Sequence, residues 1–140
     1  MIFNIIRYYY GRWSVDGALY LNNKFICHTC EHPHLFLPTK RYVIQRIRNV
    51  FYIGNTITAQ DKRGKKICKF QPLATFKACH GPFTCKDGSV AVGKHLMNGL
   101  LGDVINSYSN LHELLCQAVK DNESITLTIR DSSTIQDQKL

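Results

Sequence analysis

The sequence lacks a long apolar run. No stretch approaches the roughly 20 residues that a membrane-spanning helix needs, so none is expected. The first residues, "MIFNIIRYYYGRW", show no early basic region, no leucine-rich run and no small-residue cleavage site. They therefore read as no secretory signal, and the expected location is the cytoplasm. An extracytoplasmic role would need another route, such as phage-mediated lysis or a specialised secretion system. Repeats, low-complexity tracts and inter-domain linkers are also missing. The 140 residues suffice for one domain with a real core and are short for two.

Acidic residues are scarce where basic ones gather. The formal net charge is +8. Between positions 40 and 69 stand Lys40, Arg41, Arg46, Arg48, Lys62, Arg63, Lys65, Lys66 and Lys69, against the single acid Asp61. Such a segment attracts nucleic acid, anionic lipid or an anionic wall polymer. It reads equally as a solvated basic hairpin, because it has little aromatic interleaving. Lys62, Arg63, Lys65 and Lys66 are the candidate polyanion-binding residues.

A second Cys-x-x-Cys is missing too. Of the six cysteines, Cys27, Cys30, Cys68, Cys79, Cys85 and Cys116, only Cys27 and Cys30 have that spacing, inside "ICHTCEHPH" with His28, His32 and His34. A structural zinc site takes four ligands, normally from two separated pairs. On a strand, residues three apart face opposite sides of the sheet, so Cys27 and Cys30 are expected not to share a metal. No metal or other cofactor is expected. Without a secretory signal the thiols read as free, with Cys68, Cys79 and Cys116 in apolar patterns.

What is present is mostly β. "IFNIIRYYY" is rich in strand formers. In "RWSVDGALYLNNKFICHTCE", Asp16-Gly17 and Asn22-Asn23-Lys24 read as turns between short apolar runs. Pro33 and Pro38 break the next stretch. "RYVIQRIRNVFYI" is a strand or strand pair, and "KICKFQ" and "SITLTIR" are further strands. In "SYSNLHELLCQAV", Leu111, Leu114, Leu115 and Ala118 share one helical face, with Ser107 or Ser109 as the expected cap. Tyr8, Tyr9, Tyr10 and Trp13 suit either a stacking face for sugars or bases, or cross-strand and core packing. His95 and His112 read as exposed. The expected fold is a compact β-rich α+β domain of about eight strands over residues 1–130. One helix packs near 109–120, and 131–140 form a polar tail.

The stretch "ACHGPFTCKDGSVAVG" carries the candidate chemistry. A hydroxyl or thiol nucleophile needs a base within hydrogen-bond reach and a donor for the developing oxyanion. Gly88 before Ser89 lets the backbone turn and present its N–H groups. His80, beside Gly81, is the candidate base, and Cys85 and Asp87 are the other reactive side chains. Spacing alone fits an ordinary loop as well.

Several pieces, in order, resemble a bacterial and phage family catalogued as a domain of unknown function. "NNKFICHTCEH" is similar to its hairpin ending in C-x-T-L-E, and "LPTKRYVI" to its IPxGxYxV. "KDGSVAVG" is similar to its TDGCILVG, "GDVINSYSNLHELL" to its GxVINSxxxFxxL, and "SITLTI" to its last strand. The resemblance spans roughly residues 7 to 129. That family's His…Gly-Cys motif in turn resembles the active site of L,D-transpeptidases. In those β-rich enzymes a cysteine attacks a peptidoglycan stem peptide, forms a thioester and passes the acyl group to an amine or water. Carried over, the resemblance implies His80 as base, Gly88 as turn glycine and Ser89 at the nucleophile position. It also implies a transpeptidase-like sheet or barrel.

The chain departs from that pattern where it matters. Serine replaces cysteine, and a hydroxyl is far harder to ionise than a thiol. The His-to-nucleophile spacing is about two residues shorter, and "HGPFT" replaces the expected asparagine. Three readings stand: a degenerate site that binds a peptidoglycan peptide without chemistry, an active acyl transferase or hydrolase using Ser89 or Cys85, and a structural turn. The first implies a cell-wall-associated protein of phage or mobile-element type and leans away from an enzyme. The rival class is a basic module for nucleic acid or another polyanion.

Overall fold

The computed structural model describes residues 1–54, 68–72 and 90–132. Among them are nine strands and one helix: β1 (Ile2–Tyr10), β2 (Val15–Leu21), β3 (Lys24–Glu31), β4 (Arg41–Ile47), β5 (Val50–Gly54), β6 (Cys68–Gln71), β7 (Val90–Met97), β8 (Leu100–Gly102), α1 (Val104–Lys120) and β9 (Ile125–Asp131). The sheet runs β3-β2-β1-β9-β4-β5-β6-β7-β8, and β7 also pairs with β3. Eight strands thus close into a barrel, with β8 added as a hairpin arm on β7. Closure removes the free sheet edges. The β1–β9 and β6–β7 pairs are parallel, and the others are antiparallel. The expected β-rich domain with one packed helix is what the chain forms.

Burial alternates along the strands, as a barrel wall requires. Phe3, Ile5 and Arg7 of β1 are buried, as are Ile125, Leu127 and Ile129 of β9. Leu19, Cys27, Tyr42, Ile44, Phe51, Ile53, Phe70, Val90 and Val92 complete the strand-borne part of the main core. Helix α1 adds Leu111, Leu115 and Ala118 to it, and Leu114 is half-buried.

Asn22 and Asn23 both take positive φ, 49° and 70°, and form the tight β2–β3 turn. Asp16-Gly17 does not turn; it lies inside β2. The reversal before β2 is instead made where the Gly11 N–H donates to the Ser14 carbonyl at 2.8 Å. Gly17 sits opposite Arg7 and Thr29, and a Cβ there would lie 2.9 Å from both the Ile6 carbonyl oxygen and Thr29 Oγ1. Packing, rather than turn geometry, calls for glycine at this position.

The helix begins earlier than its apolar face suggests. Val104 is its first residue and Asp103, at φ 47°, precedes it. Ser107 and Ser109 lie within the helix, so neither caps it; the Ser107 N–H already donates to the Asp103 carbonyl at 3.0 Å. The Asp103 side chain accepts from Asn106 Nδ2 at 2.8 Å instead of capping the backbone.

One charged pair is sealed in the barrel. Arg7 Nε and Nη2 donate to Glu31 Oε2 and Oε1 at 2.8 and 2.7 Å, with neither side chain exposed. Arg7 Nη2 also reaches the Leu37 carbonyl at 2.6 Å, and its guanidinium lies 5.0 Å from the Phe36 ring centre. Burial pushes the Glu31 carboxyl up, against the hydrogen bonds and charge of Arg7.

Candidate functional site

The sequence-derived candidates His80, Cys85, Asp87, Gly88 and Ser89 lie outside the described residues, as do Lys62, Arg63, Lys65 and Lys66. The described chain resumes at Val90, which pairs with Glu31 on β3 and Phe70 on β6. The strand that follows the motif, β7, leads along the barrel wall to a cleft.

That cleft has a volume of about 280 Å³ and lies between β3, β7 and the start of α1. Its floor is the paired residues His28 and Gly93. Phe25, 46% exposed, forms an apolar side. Lys94, Asp103, Ser107 and Asn110 supply charge and hydrogen-bonding groups around it. Gly93 is required for this shape. A Cβ at Gly93 would lie 2.8 Å from the Gly102 carbonyl oxygen, 2.9 Å from Leu101 Cβ and 3.0 Å from Val104 Cγ1.

His28 is held in one tautomer. The His95 N–H donates to His28 Nδ1 at 3.2 Å, so Nδ1 is an acceptor and the neutral ring carries its proton on Nε2. The His28 ring lies 4.9 Å from that of Phe25 and 5.5 Å from that of His95. Burial lowers the His28 pKa below its usual value, His95 lowers it further, and Asp16 opposes them. A depressed histidine pKa means that stability is full above the unfolded-state value near 6.5 and is lost as pH falls through the folded value. We expect nitrogen-detected NMR to find Nε2–H at neutral pH and the His95 amide to lose protection only as pH falls below the ordinary histidine range. An Nδ1–H tautomer, or titration at or above 6.5, would contradict this geometry.

Beside His28, the hairpin of β7 and β8 is fastened to the outer face of β2. The Gly99 N–H donates to Asp16 Oδ2 at 3.0 Å, and the Cys30 thiol contacts Asp16 Oδ1 at 3.4 Å. Asp16 is 2% exposed. Its charge, with burial as the larger cause, raises the nearby Tyr8 hydroxyl to about 12.

Cys27 and Cys30 divide as their spacing predicts. Cys27 belongs to the barrel core, whereas Cys30 packs outside with Ala91 and Leu101. Burial raises the Cys27 thiol to about 12 and pushes Cys30 up as well, so both stay protonated at neutral pH. Among the described residues no three His, Cys, Asp or Glu side chains gather in a metal-binding group, and Cys27, Cys30 and Cys116 are free thiols.

The aromatic residues at the end of β1 do not form one stacking face. Tyr8 packs edge-on to His95, Tyr10 meets Phe36 and Asp131, and Trp13 lies against Arg12. His95 and His112, expected to be exposed, are half-buried; His112 packs against Phe51 and Tyr108. The cleft itself escaped the sequence reading. Its walls come from positions near 26, 93 and 107, and only the non-local β3–β7 pairing joins them. No protein-family model, no curated protein and no solved structure matches the chain.

Proposed function

We propose that the chain is a cell-wall-associated binding protein of phage or mobile-element type. It holds a peptidoglycan stem peptide at a transpeptidase-like site whose nucleophile position is Ser89. The reading rests on the order of the family-like sequence pieces, which is an argument by analogy. The observation that carries it is continuity: "KDGSVAVG" runs into β7, and Gly93 and Lys94 of that strand line the 280 Å³ cleft. An aromatic side with a few convergent polar groups is the make-up of a small-ligand site. Purified muropeptides should bind the protein saturably, and His80→Ala should weaken that binding. An electrophile for activated serines should leave Ser89 unmodified. Rapid Ser89 or Cys85 labelling abolished by His80→Ala would instead make the protein an acyl-transfer enzyme.

A second reading is favoured by the exposed cations of the β4–β5 hairpin. Lys40, Arg41, Arg46 and Arg48 all face solvent, and the ion pairs among the described residues involve none of them. Arg46 is steadied by bonds to the Arg48 carbonyl and Asn49 Oδ1 at 2.7 and 3.0 Å. This surface suits a polyanion, whose binding would fall steeply as salt rises.

A further inference from the structure

We infer that the outer wall of the barrel formed by β9, β4, β5 and β6 binds single-stranded nucleic acid. This partner is a specific case of the polyanion in the second reading above, on which it rests. No strand of this wall lines the cleft beside β7. Three observations carry the assignment.

First, the wall is cationic at both ends and carries no acid. Strand alternation puts Arg41 and Arg130 outside, because their neighbours Tyr42 and Ile129 are in the core. Both arginines are exposed, and neither joins an ion pair among the described residues. Arg41 pairs with Thr128, which lies two residues from Arg130 on the same face. The two guanidinium groups therefore spring from diagonal neighbours about 7–8 Å apart. Lys69 stands toward the other end, turned outward because Phe70 is buried. The only acid in these four strands, Asp131, is in step with the inward residues and accepts from Tyr10.

Second, three strands set an aromatic ring between a cation and an amide. Gln45 is directly opposite Tyr52, and Tyr52 is directly opposite Lys69. Neighbouring Cβ atoms along such a row are about 4.5–5.5 Å apart. Phe51 and Ile53 are core residues, which turns Tyr52 outward. Gly54, next on the same face, has no side chain to stand beside the ring. A base can stack on the tyrosine, with Lys69 on the neighbouring phosphate and the Gln45 amide offering a donor and an acceptor to the base edge. An anionic lipid surface has no use for the ring or the amide, and a duplex keeps its base faces stacked away from them.

Third, the floor between the cationic ends is low and uncharged. Val43 is opposite both Thr126 and Gly54, so these three small residues form one row across β9, β4 and β5. Arg41 and Gln45 bound the floor four positions apart on β4, about 13 Å. That distance accommodates a strand of a few nucleotides crossing the wall.

The test is fluorescence anisotropy of the intact chain with three ligands at one salt concentration: a labelled oligothymidylate about 12 nucleotides long, its duplex with oligoadenylate, and labelled heparin. Charge alone would favour the duplex, which has the denser charge; the single strand should nevertheless bind more tightly. Tyr52→Thr should weaken single-strand binding about fivefold or more, the loss of one stacked base, and leave duplex binding unchanged. Threonine favours strands, so β5 should survive. Tyr52→Phe keeps the ring and should bind like the parent. Arg41→Gln should reduce the slope of log affinity against log salt by about 0.7. His80→Ala should leave oligonucleotide binding unchanged; a loss there would place the nucleic acid elsewhere and overturn the inference. Duplex or heparin binding as tight as that of the single strand, with Tyr52→Thr matching the parent, would sink this inference and leave the polyanion reading standing. Binding of none of the three ligands would sink both.

Discussion

Glu31→Gln should lower the unfolding free energy by about 3–5 kcal/mol, the usual cost of breaking a buried ion pair from one side. The change leaves the Arg7 guanidinium charged in a site that neither side chain shares with solvent. Arginine cannot shed its proton to escape the cost. The pair sits among further polar groups, since Tyr10 also hydrogen-bonds Arg7 and, among the described residues, Thr29 Oγ1 is buried without a partner. The double variant Arg7→Met/Glu31→Leu should therefore recover most of the loss, because it removes both charges together. Urea unfolding of the two variants checks this. A Glu31→Gln protein within about 1 kcal/mol of the parent would show that the pair is not isolated from water.

Gly93→Ala should be less damaging to overall stability and more local. Its methyl group meets Gly102 backbone, Leu101 and Val104 at 2.8–3.0 Å, so β8 and the first turn of α1 must move away from β7. Overpacking of this kind costs about 1–3 kcal/mol. Because Gly93 pairs with His28 at the floor of the cleft, the variant should also lose ligand binding and amide protection across residues 94–102. Unchanged exchange there would mean that the hairpin has slack the close contacts deny.

Local physics was legible where one residue's chemistry decides the backbone. Asn22-Asn23 reads as a turn because asparagine tolerates positive φ, and both residues adopt it. The helix face around Leu111, Leu115 and Ala118 is legible because burial on a helix has a 3.6-residue period. The separation of Cys27 from Cys30 follows from strand alternation.

Failures arose where a distant partner decides. Asp16-Gly17 has turn composition, but a carboxylate that receives the Gly99 N–H and a glycine pressed against β1 and Thr29 belong in a strand. The helix start escaped because Asp103 enters it through a left-handed backbone, not through a side-chain cap. Barrel closure depends on β3 meeting β7, from Glu31 opposite Val90 to His28 opposite Gly93, and no pattern along the chain announces so distant a pairing. His28 stood out only as a possible ligand beside two cysteines, whereas its place in the fold is set by a backbone N–H from His95.

The proposed binding of a wall peptide runs through the segment around His80 and Ser89 rather than through the basic segment. Co-sedimentation with purified peptidoglycan tests it most directly. It should be run at low and high salt with the parent, with His80→Ala, and with a variant in which Lys62, Arg63, Lys65 and Lys66 are all alanine. With wall-peptide binding, retention should survive high salt, fall sharply in His80→Ala and stay nearly unchanged in the alanine variant. Retention that vanishes with salt and with the alanine variant, while His80→Ala sediments like the parent, would contradict it and make the protein a polyanion binder.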